Sequence, residues 1–436
     1  MHDSLAIPFS AEIVPKSQRP IMLAISSIAS GIAYLAGPLG AGAAIKANAG
    51  GVDQGWRVMF YIMAILYALT FVLIMLFYTP APRPVHEQSI KQRLLHIDWT
   101  GIFLVTAGSV LFLFGLQEGG TLYPWSSPTI LSTLIIGALI LVAFGIWEWK
   151  GTKTGIFHHS LFQHPNYTYS IILNVVLGIV LFGGQAYLPQ EIAVLFTRDA
   201  VITAVYNIPF NMGTILGGFL TGIVMSGFKV KEARPIIVVG MAMTLLGNGL
   251  MAILQPHINF AAWFFPTFLL GIPIGLVIST LYVVISICTP NMYIASGMAV
   301  VGSIRALAGS VGIVMFSQIF QHKAASIIPS VTSKALLNAG LPASELAEFL
   351  ELITAGETEK VLQLPNVTPV MLEVFAKADA QAYADSFRYV WYSLLPFAAI
   401  CFAVAFLVRP TSAQLTNEVA AGVQKQHKKE EDHGHA

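Results

Sequence analysis

The sequence predicts an all-α, multi-pass membrane protein, on the grounds of its composition, its long apolar runs and the placement of its charges. Of the 436 residues, 56% are hydrophobic and only 10% are charged, whereas about 25% of the residues in a soluble domain are charged. An outsized soluble core does not explain this composition, because single cores stop growing at roughly 250–300 residues. The lipid bilayer is therefore the solvent that the composition indicates.

Ten apolar runs are long enough to cross a bilayer. A hydrocarbon core of about 30 Å requires about 20 residues of helix, and backbone exposed to lipid must satisfy its own hydrogen bonds, which favours helices. The first run is too long for the core of a signal peptide and no cleavage pattern follows it, so it is interpreted as a membrane helix. The predicted spans are 21–45, 57–78, 99–117, 129–149, 167–188, 200–225, 235–255, 261–288, 294–320 and 389–408.

Basic residues predict the orientation of these spans. Lys16 and Arg19 precede the first span, and excess Lys and Arg beside a span favour the cytosolic side. With ten spans, both termini are predicted to be cytosolic, including the tail with Lys425, Lys428 and Lys429. The even-numbered connections, which this orientation also places in the cytosol, contain Arg83, Lys91, Arg93, Lys150, Lys153, Lys229, Lys231 and Arg234.

The connection 321–388 is predicted to be an outer loop rich in acidic residues. Leu346, Phe349, Leu350 and Ile353 recur within it at i, i+3, i+4 and i+7, which predicts a short amphipathic helix. Asn366, followed by Val367 and Thr368, forms a glycosylation acceptor on the same side. A second match, Asn166-Tyr167-Thr168, is predicted to lie in the cytosol and to remain unmodified.

Polar residues near the ends of two neighbouring spans, together with one arginine inside a later span, are candidates for a transport cavity. A cavity for a moderately hydrophobic ligand needs apolar walls with a few polar contacts, and a charge inside a span must face protein or water. Hydrogen bonding between helices is the alternative for the amides, and bonding to helix-end carbonyls is the alternative for the arginine. The candidates are Gln185, Tyr187, Gln190, Tyr206, Asn207, Asn211 and Arg305.

Other functions find little support in the sequence. A net charge of +1 without a concentrated basic face argues against nucleic acid as a partner. The two cysteines lie in apolar runs, and the histidine groups lack carboxylate or cysteine partners at ligand spacing, so neither a disulfide nor a metal site is predicted. Without a nucleophile elbow or a phosphate-binding loop, neither an enzyme nor a cofactor is predicted. The histidine groups are His158, His159 and His164, then His427, His433 and His435.

Several stretches resemble the drug:proton antiporters of the major facilitator superfamily. The segment 30–40, preceded by Glu12-Ile13-Val14-Pro15 and Arg19, resembles the fifth helix of that family, although Gly40 comes one position early for its Gly-Pro-x-x-Gly-Gly motif. The segment 119–125, Gly-Gly-Thr-Leu-Tyr-Pro-Trp, is similar to the fungal trichothecene efflux pump and siderophore transporter branch. Further similar stretches are 55–62, 96–104, 187–190 and 302–312, and the antiporter-like motif consists of Gly31, Gly37, Pro38 and Gly40.

The resemblance implies a major facilitator fold taken from a fourteen-helix family. Residues 1–78 then correspond to family helices five and six, as a remnant of the N-terminal bundle, and helices one to four have no counterpart in this sequence. The other implied segments are a cytosolic loop (79–98), two linker helices (99–149), a complete C-terminal six-helix bundle (150–408) with the outer loop 321–388, and a cytosolic tail (409–436).

The function implied by the resemblance is secondary active, proton-coupled efflux of a small amphiphilic compound such as a toxin, a drug or a secondary metabolite. The membrane is the plasma membrane or the vacuolar membrane, and the proton is the coupling ion. From their position at predicted ends of spans, Glu191 and Asp199 are the candidates for protonation, and interface or loop charges are the alternative. Two alternatives are a siderophore-iron uptake transporter and a truncated, non-transporting membrane protein with a regulatory or interaction role.

Overall fold

The computed structural model describes residues 11, 14–52, 54–77, 97–120, 122–152, 155–197, 199–227, 232–256 and 258–416. Within these residues, ten helices are long and apolar enough to cross a membrane and no β-strand is present, which confirms the all-α membrane fold. The helices are α1 (Arg19–Lys46), α2 (Gly55–Phe77), α3 (Trp99–Glu118), α4 (Pro128–Ile146), α5 (Pro165–Leu195), α6 (Ala200–Gly222), α7 (Ala233–Ala252), α8 (Phe260–Cys288), α9 (Ile294–Asn338), α10 (Leu346–Thr354), α11 (Thr358–Val361) and α12 (Pro369–Ala405).

Short polar residues mark where several of these helices begin. The side chain of Asp98 accepts a hydrogen bond from the backbone N–H of Gly101 at the start of α3, and Asn259 does the same for Ala262 at the start of α8. Ser127 caps α4 in the same way. Such caps satisfy backbone N–H groups that have no partner in the first turn.

Six helices, α5 to α9 and α12, pack into one bundle. Its tightest contact joins α6 and α8, where Gly213 and Gly217 face Gly271 and Gly275. A Cβ atom added at any of these four positions would lie only 1.9–2.4 Å from a backbone carbonyl oxygen of the other helix. Glycine is therefore what lets the two backbones approach so closely inside the bundle.

The four helices before this bundle are attached to it unequally. α1 packs along α6 and also contacts α8, whereas α2 packs on α1 and its most apolar stretch is 0% buried. α3 and α4 form a hairpin that contacts the bundle through α9. Trp147, just after α4, donates a hydrogen bond from Nε1 to Asp98 Oδ1 at 3.0 Å, which closes the open end of the hairpin.

The segment 321–388, predicted as an outer loop with one short amphipathic helix, is largely helical. α9 continues to Asn338 and α12 already begins at Pro369. With 45 residues, α9 is about 68 Å long, so it extends well beyond a hydrocarbon core of about 30 Å. Polar residues end the apolar runs in the sequence, but they do not end the helices.

The two extensions are held together by a small apolar core, which explains why they remain helical outside the apolar spans. α10 lies where the amphipathic helix was predicted and contributes a fully buried Phe349. This core consists of Leu336, Leu341, Phe349, Val361 and Met371.

The ends of the bundle are named here by the chain termini. The N/C end holds residues 14–18 and 406–416, and the opposite end holds the connection between α9 and α12. Some predicted features lie outside the described residues: most of the loop 79–98, the tail from 417 onward, Glu12, Ile13, Arg83, Lys91, Arg93, His96, Thr121, Lys153, Lys229 and Lys231.

Candidate transport cavity

A cavity of about 200 Å³ lies between α1 and the six-helix bundle. Five helices supply its walls, and most of its polar groups are hydroxyls, with one amide and one guanidinium. α1 provides Leu23, Ser26, Ser27, Ser30, Gly31 and Tyr34; α5 provides Leu181, Phe182 and Gln185; α6 provides Thr214 and Ile215; α8 provides Ile274, Gly275, Ile278, Ser279 and Tyr282; and α9 provides Arg305.

The face of α1 that lines the cavity follows from residue spacing. Leu23, Ser27, Ser30 and Tyr34 recur at i, i+4, i+7 and i+11, which places them on one side of a helix. The Oγ atom of Ser27 donates to the carbonyl of Leu23 at 2.9 Å and lies 3.2 Å from Oγ of Ser279 on α8. The sequence reasoning missed this face, although a small and polar stripe at helical spacing on an apolar span was its signal.

Arg305 is the charged group of the cavity. Its side chain is 7% exposed, its Nη2 donates to the hydroxyl of Tyr282 at 3.0 Å, and its Cζ lies 5.3 Å from the centroid of that ring. A cation inside a membrane bundle is stable where it faces protein and water, and the tyrosine ring adds a cation–π contact. The guanidinium therefore brings hydrogen-bond donors and a positive charge to a mostly apolar cavity.

Pro38 of the antiporter-like motif acts through its missing N–H. In an α-helix this N–H would bond to the carbonyl four residues earlier, which here belongs to Tyr34. The Nδ2 atom of Asn211 on α6 donates to that carbonyl at 3.1 Å. Pro38 thus frees an acceptor on α1, and Asn211 uses it to join α1 to the bundle.

The glycines of the motif have different surroundings. A Cβ atom at Gly31 would lie 2.0 Å from Ile215 Cγ1 on α6, so this glycine permits close packing beside the cavity. Gly37 has no described atom within 4 Å of its Cβ position, and Gly40 faces Met59 of α2 at 3.8 Å. Outside the motif, Gly42 lies against the backbone of Ala200. Between Gly31 and Gly42, α1 therefore makes its close contacts with the bundle at these two glycines and not at Gly37 or Gly40.

Among the residues predicted for a cavity, Gln185 and Arg305 line it together. Tyr187 on the same helix as Gln185 packs instead against Phe320 and Phe387, at ring-centroid distances of 6.2 and 6.4 Å. Gln190 is exposed, and its Nε2 donates to the carbonyl one turn earlier. Only one face of α5 is thus turned towards the cavity.

The predicted residues on α6 lie nearer the opposite end. The ring of Tyr206 stacks on Phe196 at 5.0 Å, and its carbonyl accepts from Trp263 Nε1 at 2.8 Å. Asn207 has a buried Oδ1 with no hydrogen-bond partner among the described residues, and Asn211 bonds to α1 as described above. Tyr206 and Asn211 thus hold helices together around the cavity, and none of the three residues lines it.

A second cavity, of about 580 Å³, lies between the α3–α4 hairpin and α9. Its wall is mostly apolar, with Val105, Phe144 and Ile304 among the lining residues, and His158 stacks on Tyr293 at 4.2 Å on its rim. It is larger than the first cavity, but it lies outside the six-helix bundle and lacks a buried charge. The cavity beside α1 is therefore the better candidate for a transport site.

The two candidates for protonation differ sharply. Asp199 caps α6, and a hydrogen bond from Lys46 at 2.6 Å is the main cause that lowers the pKa of its carboxyl, which favours the ionised form. Glu191 is 2% exposed and bonds to Trp391.

Among the residues that the structure describes, no group of three His, Cys, Asp or Glu side chains could hold a metal ion.

A family model described as fungal trichothecene efflux pump (TRI12) matches residues 13–435. The chain is 27% identical over 376 residues to the efflux pump dotC of Dothistroma septosporum, covering 86% of this chain and 61% of that relative. It is 26% identical to the trichothecene efflux pump TRI12 of Fusarium sporotrichioides, covering 84% and 62%, and 26% identical to the efflux pump roqT of Penicillium rubens, covering 80% and 65%. The chain thus spans less than two thirds of the length of these relatives.

Proposed function

Because the chain belongs to the fungal trichothecene efflux pump family, we propose that it functions in the proton-coupled export of a small amphiphilic compound. The observation that carries this proposal is the cavity between α1 and the six-helix bundle, which combines apolar walls with a buried guanidinium. Ligand sites combine mostly apolar walls with a few polar or charged groups, and those of many transporters lie where two groups of helices meet.

The lining suggests the chemistry of the substrate. Serine hydroxyls on α1 and the donors of Gln185 and Arg305 suit a compound with an apolar body and acceptor oxygens such as carbonyl, ester or carboxylate groups. At about 200 Å³, the cavity is smaller than the roughly 300–1,000 Å³ of sites for drug-sized ligands. Binding of a whole substrate therefore involves movement of α1 away from the bundle.

The lining argues against the siderophore alternative. An iron–siderophore complex is strongly polar, and it would need a more hydrophilic site than this mostly apolar cavity. Toxins, drugs or secondary metabolites of moderate size fit the proposal better, and the proton gradient is the proposed driving force.

In this proposal the N/C end faces the cytosol of a plasma membrane or a vacuolar membrane. Lys16, Arg19 and Arg234 lie at this end, in keeping with the positive-inside tendency. Asn366 at the opposite end is exposed, and its Nδ2 donates to Glu345 Oε1 at 2.6 Å. The glycosylation acceptor Asn366 is then on the lumenal or extracellular side.

The orientation is tested by glycosylation in a eukaryotic expression host. We expect a mobility shift that glycosidase treatment removes and that is absent from Asn366→Gln. A shift that persists in Asn366→Gln would point to Asn166, at the N/C end, and would contradict the orientation.

The transport proposal is tested with two substitutions of the same kind on one helix. Gln185→Leu removes an amide from the cavity, whereas Gln190→Leu removes an exposed one. In sealed vesicles with an imposed pH gradient, we expect wild-type chain and Gln190→Leu to move a fluorescent amphiphile that carries a carbonyl group, and Gln185→Leu to move it more slowly. Both variants are compared at equal amounts of monodisperse protein.

Each outcome of this experiment distinguishes between the functions under consideration. Gradient-dependent flux that is equal in the two variants would place the substrate elsewhere than this cavity. Absence of gradient-dependent flux from the wild-type chain would overturn export by this chain and favour the non-transporting alternative, with a regulatory or interaction role.

A further inference from the structure

Glu191 is a buried carboxyl group on α5 that faces α12 and does not line the cavity. Its side chain is 2% exposed, and its Oε2 accepts a hydrogen bond from Nε1 of Trp391 at 3.0 Å. Trp391 is itself 1% exposed. Among the described residues, no cation pairs with this carboxyl group. An indole N–H is a neutral donor, so nothing described here balances a negative charge at Glu191.

An isolated carboxylate in such surroundings is strongly unfavourable, and a proton is the simplest means to neutralise it. Glu148, at the end of α4, provides the contrast within the same chain. It is 6% exposed, but its two carboxylate oxygens accept hydrogen bonds from the backbone N–H groups of Ile156 and Phe157, at 2.9 and 3.0 Å. Two backbone donors offset part of the cost of ionising the buried Glu148, and no such donor to Glu191 is found among the described residues.

Several other titratable groups near this end of the neighbouring helices are engaged elsewhere, and His322 on α9 is exposed. The charged residues form pairs or cover a ring, and the tyrosines belong to aromatic contacts. These are Lys46 with Asp199 (2.6 Å), Arg388 with Asp385 (3.1 Å), Lys323 over the ring of Tyr389 (4.3 Å), Tyr187 against Phe387, Tyr206 against Phe196 and Tyr383 against Phe320. None of these charged groups therefore takes the place of a proton at the Glu191 carboxylate.

Glu191 is connected to the cavity along its own helix. It lies six residues after Gln185, which corresponds to about 9 Å along the helix axis. Pro189 lies between them inside α5, and its missing N–H leaves the carbonyl of Gln185 without its partner from the helix. The last part of α5, which carries Glu191, can therefore bend relative to the part that lines the cavity.

We propose that Glu191 is the binding site of the coupling proton, a role that rests on the proposed proton-coupled export. The carboxylate takes up one H⁺ from water at the opposite end, four residues beyond it at the end of α5, and becomes a carboxylic acid. For export, the acid later releases that H⁺ to water that enters from the N/C end, and leaves a carboxylate. The acid favours close packing of α5 on α12, because it is neutral. The carboxylate favours a conformation in which water reaches this interface, and Pro189 transmits the change towards Gln185.

The first test observes the proton directly and does not require transport. In infrared difference spectra of the membrane-embedded full chain recorded across a pH step, we expect a band from the C=O stretch of a buried carboxylic acid. Glu191→Gln keeps an acceptor for Trp391 and should remove the band, whereas Glu148→Gln should leave it. Trp391→Phe should shift the band, because the C=O group loses a hydrogen bond. A band that survives in Glu191→Gln overturns the proposal.

The second test concerns coupling. Glu191→Gln should still exchange the fluorescent amphiphile across vesicles without a gradient but should lose the acceleration by a pH gradient. Gradient-driven flux equal to wild type in Glu191→Gln would overturn the coupling role. If the wild-type chain shows no gradient-driven flux, the proposed export fails, while the infrared band still decides whether Glu191 binds a proton. Monodisperse elution of each variant excludes misfolding as the cause of a lost signal.

Discussion

α2 and α8 are about equally apolar, yet they occupy opposite environments. In α8, 78% of the most apolar stretch is buried inside the protein, and in α2 the corresponding share is 0%. Their sequences differ in small residues: α8 contains Gly271 and Gly275 together with two prolines, whereas α2 has neither glycine nor proline after Gly55.

The comparison of α2 with α8 separates two properties, insertion of a helix into the bilayer and its packing against other helices, which hydropathy alone does not distinguish. Apolar length decides that a segment enters a bilayer, and lipid solvates a leucine as well as another helix does. Close packing between helices depends instead on small residues and on hydrogen bonds that cross the interface. Substitutions of the same kind should therefore be costly around α8 and nearly neutral on α2.

The largest difference is expected for a bulky residue in place of a small one. At Gly275, a Cβ atom would already lie 1.9 Å from the carbonyl oxygen of Thr214, so Gly275→Leu must separate α6 from α8. Overpacking usually costs about 1–3 kcal/mol, and contact with rigid backbone places this variant above about 3 kcal/mol. We expect loss of the monodisperse peak in size-exclusion chromatography of the detergent-solubilised protein.

Ala68→Leu on α2 is the matched control, since Ala68 is exposed. It should elute like the wild type and unfold at nearly the same temperature. If Ala68→Leu were as damaging as Gly275→Leu, α2 would be packed against protein rather than lipid, and the comparison would fail.

The difference between these helices explains how far the sequence determines the fold. Apolar length located all ten spans, because each run meets the requirement of the bilayer independently of its neighbours. It did not find the helical extension of α9, because Gln321, His322 and Lys323 interrupt the apolar run and the helix beyond them depends on a separate core that includes Leu336 and Phe349.

The candidate site was accessible to sequence reasoning only in part. Gln185 and Arg305 are conspicuous as polar groups within apolar runs, and both line the cavity. The serines on α1 are ordinary in a membrane helix, and their importance depends on which face of α1 meets α8. Tyr187 and Gln185 are only two residues apart, yet a helix turns them in different directions.

The second prediction compares two arginines at the starts of helices. Arg19 of α1 is fully buried, and its Nη1 donates to the carbonyl of Ser286 on α8. Pro290 cannot supply the helical N–H for that carbonyl, so Arg19 is well placed to do so. Arg19→Met should lower the stability by about 2 kcal/mol, the magnitude of a hydrogen bond to a charged group, as measured by thermal unfolding.

Arg57 of α2 is the control for this arginine. It is exposed and its Cζ lies 5.1 Å from the ring of Trp56. Arg57→Met should lower stability by about 0.5 kcal/mol at most, the lower end of the range for an exposed cation–π contact. Equal losses of stability in the two variants would show that the buried hydrogen bond of Arg19 does not stabilise the protein more than an exposed contact does.

The third prediction compares two threonines. Thr411 lies after α12, is fully buried, and accepts the backbone N–H of Ala233 at the start of α7 through its Oγ1, at 3.0 Å. Thr411→Val keeps the shape but removes this cap, so we expect a loss of about 1 kcal/mol and faster hydrogen exchange in the first turn of α7. Thr70→Val on α2 removes only a bond to a carbonyl of its own helix and should leave exchange unchanged.

The smallest expected effect is a dependence on pH at the start of α5. Neutral His164 accepts the N–H of Asn166 on Nδ1 at 3.2 Å, and burial, followed by the charge of Arg409, lowers the pKa of this imidazole below its ordinary value of 6.5. The folded state thus binds its proton less readily than the unfolded state, so stability should fall as the pH drops below that value.

His164→Asn keeps a capping oxygen without titrating. In thermal unfolding at about pH 7.5 and pH 5.5, the variant should lose less stability than the wild type, whereas an equal loss would assign the pH dependence to groups other than this cap. α2 contains no histidine and no acidic residue, so it offers no comparable cap.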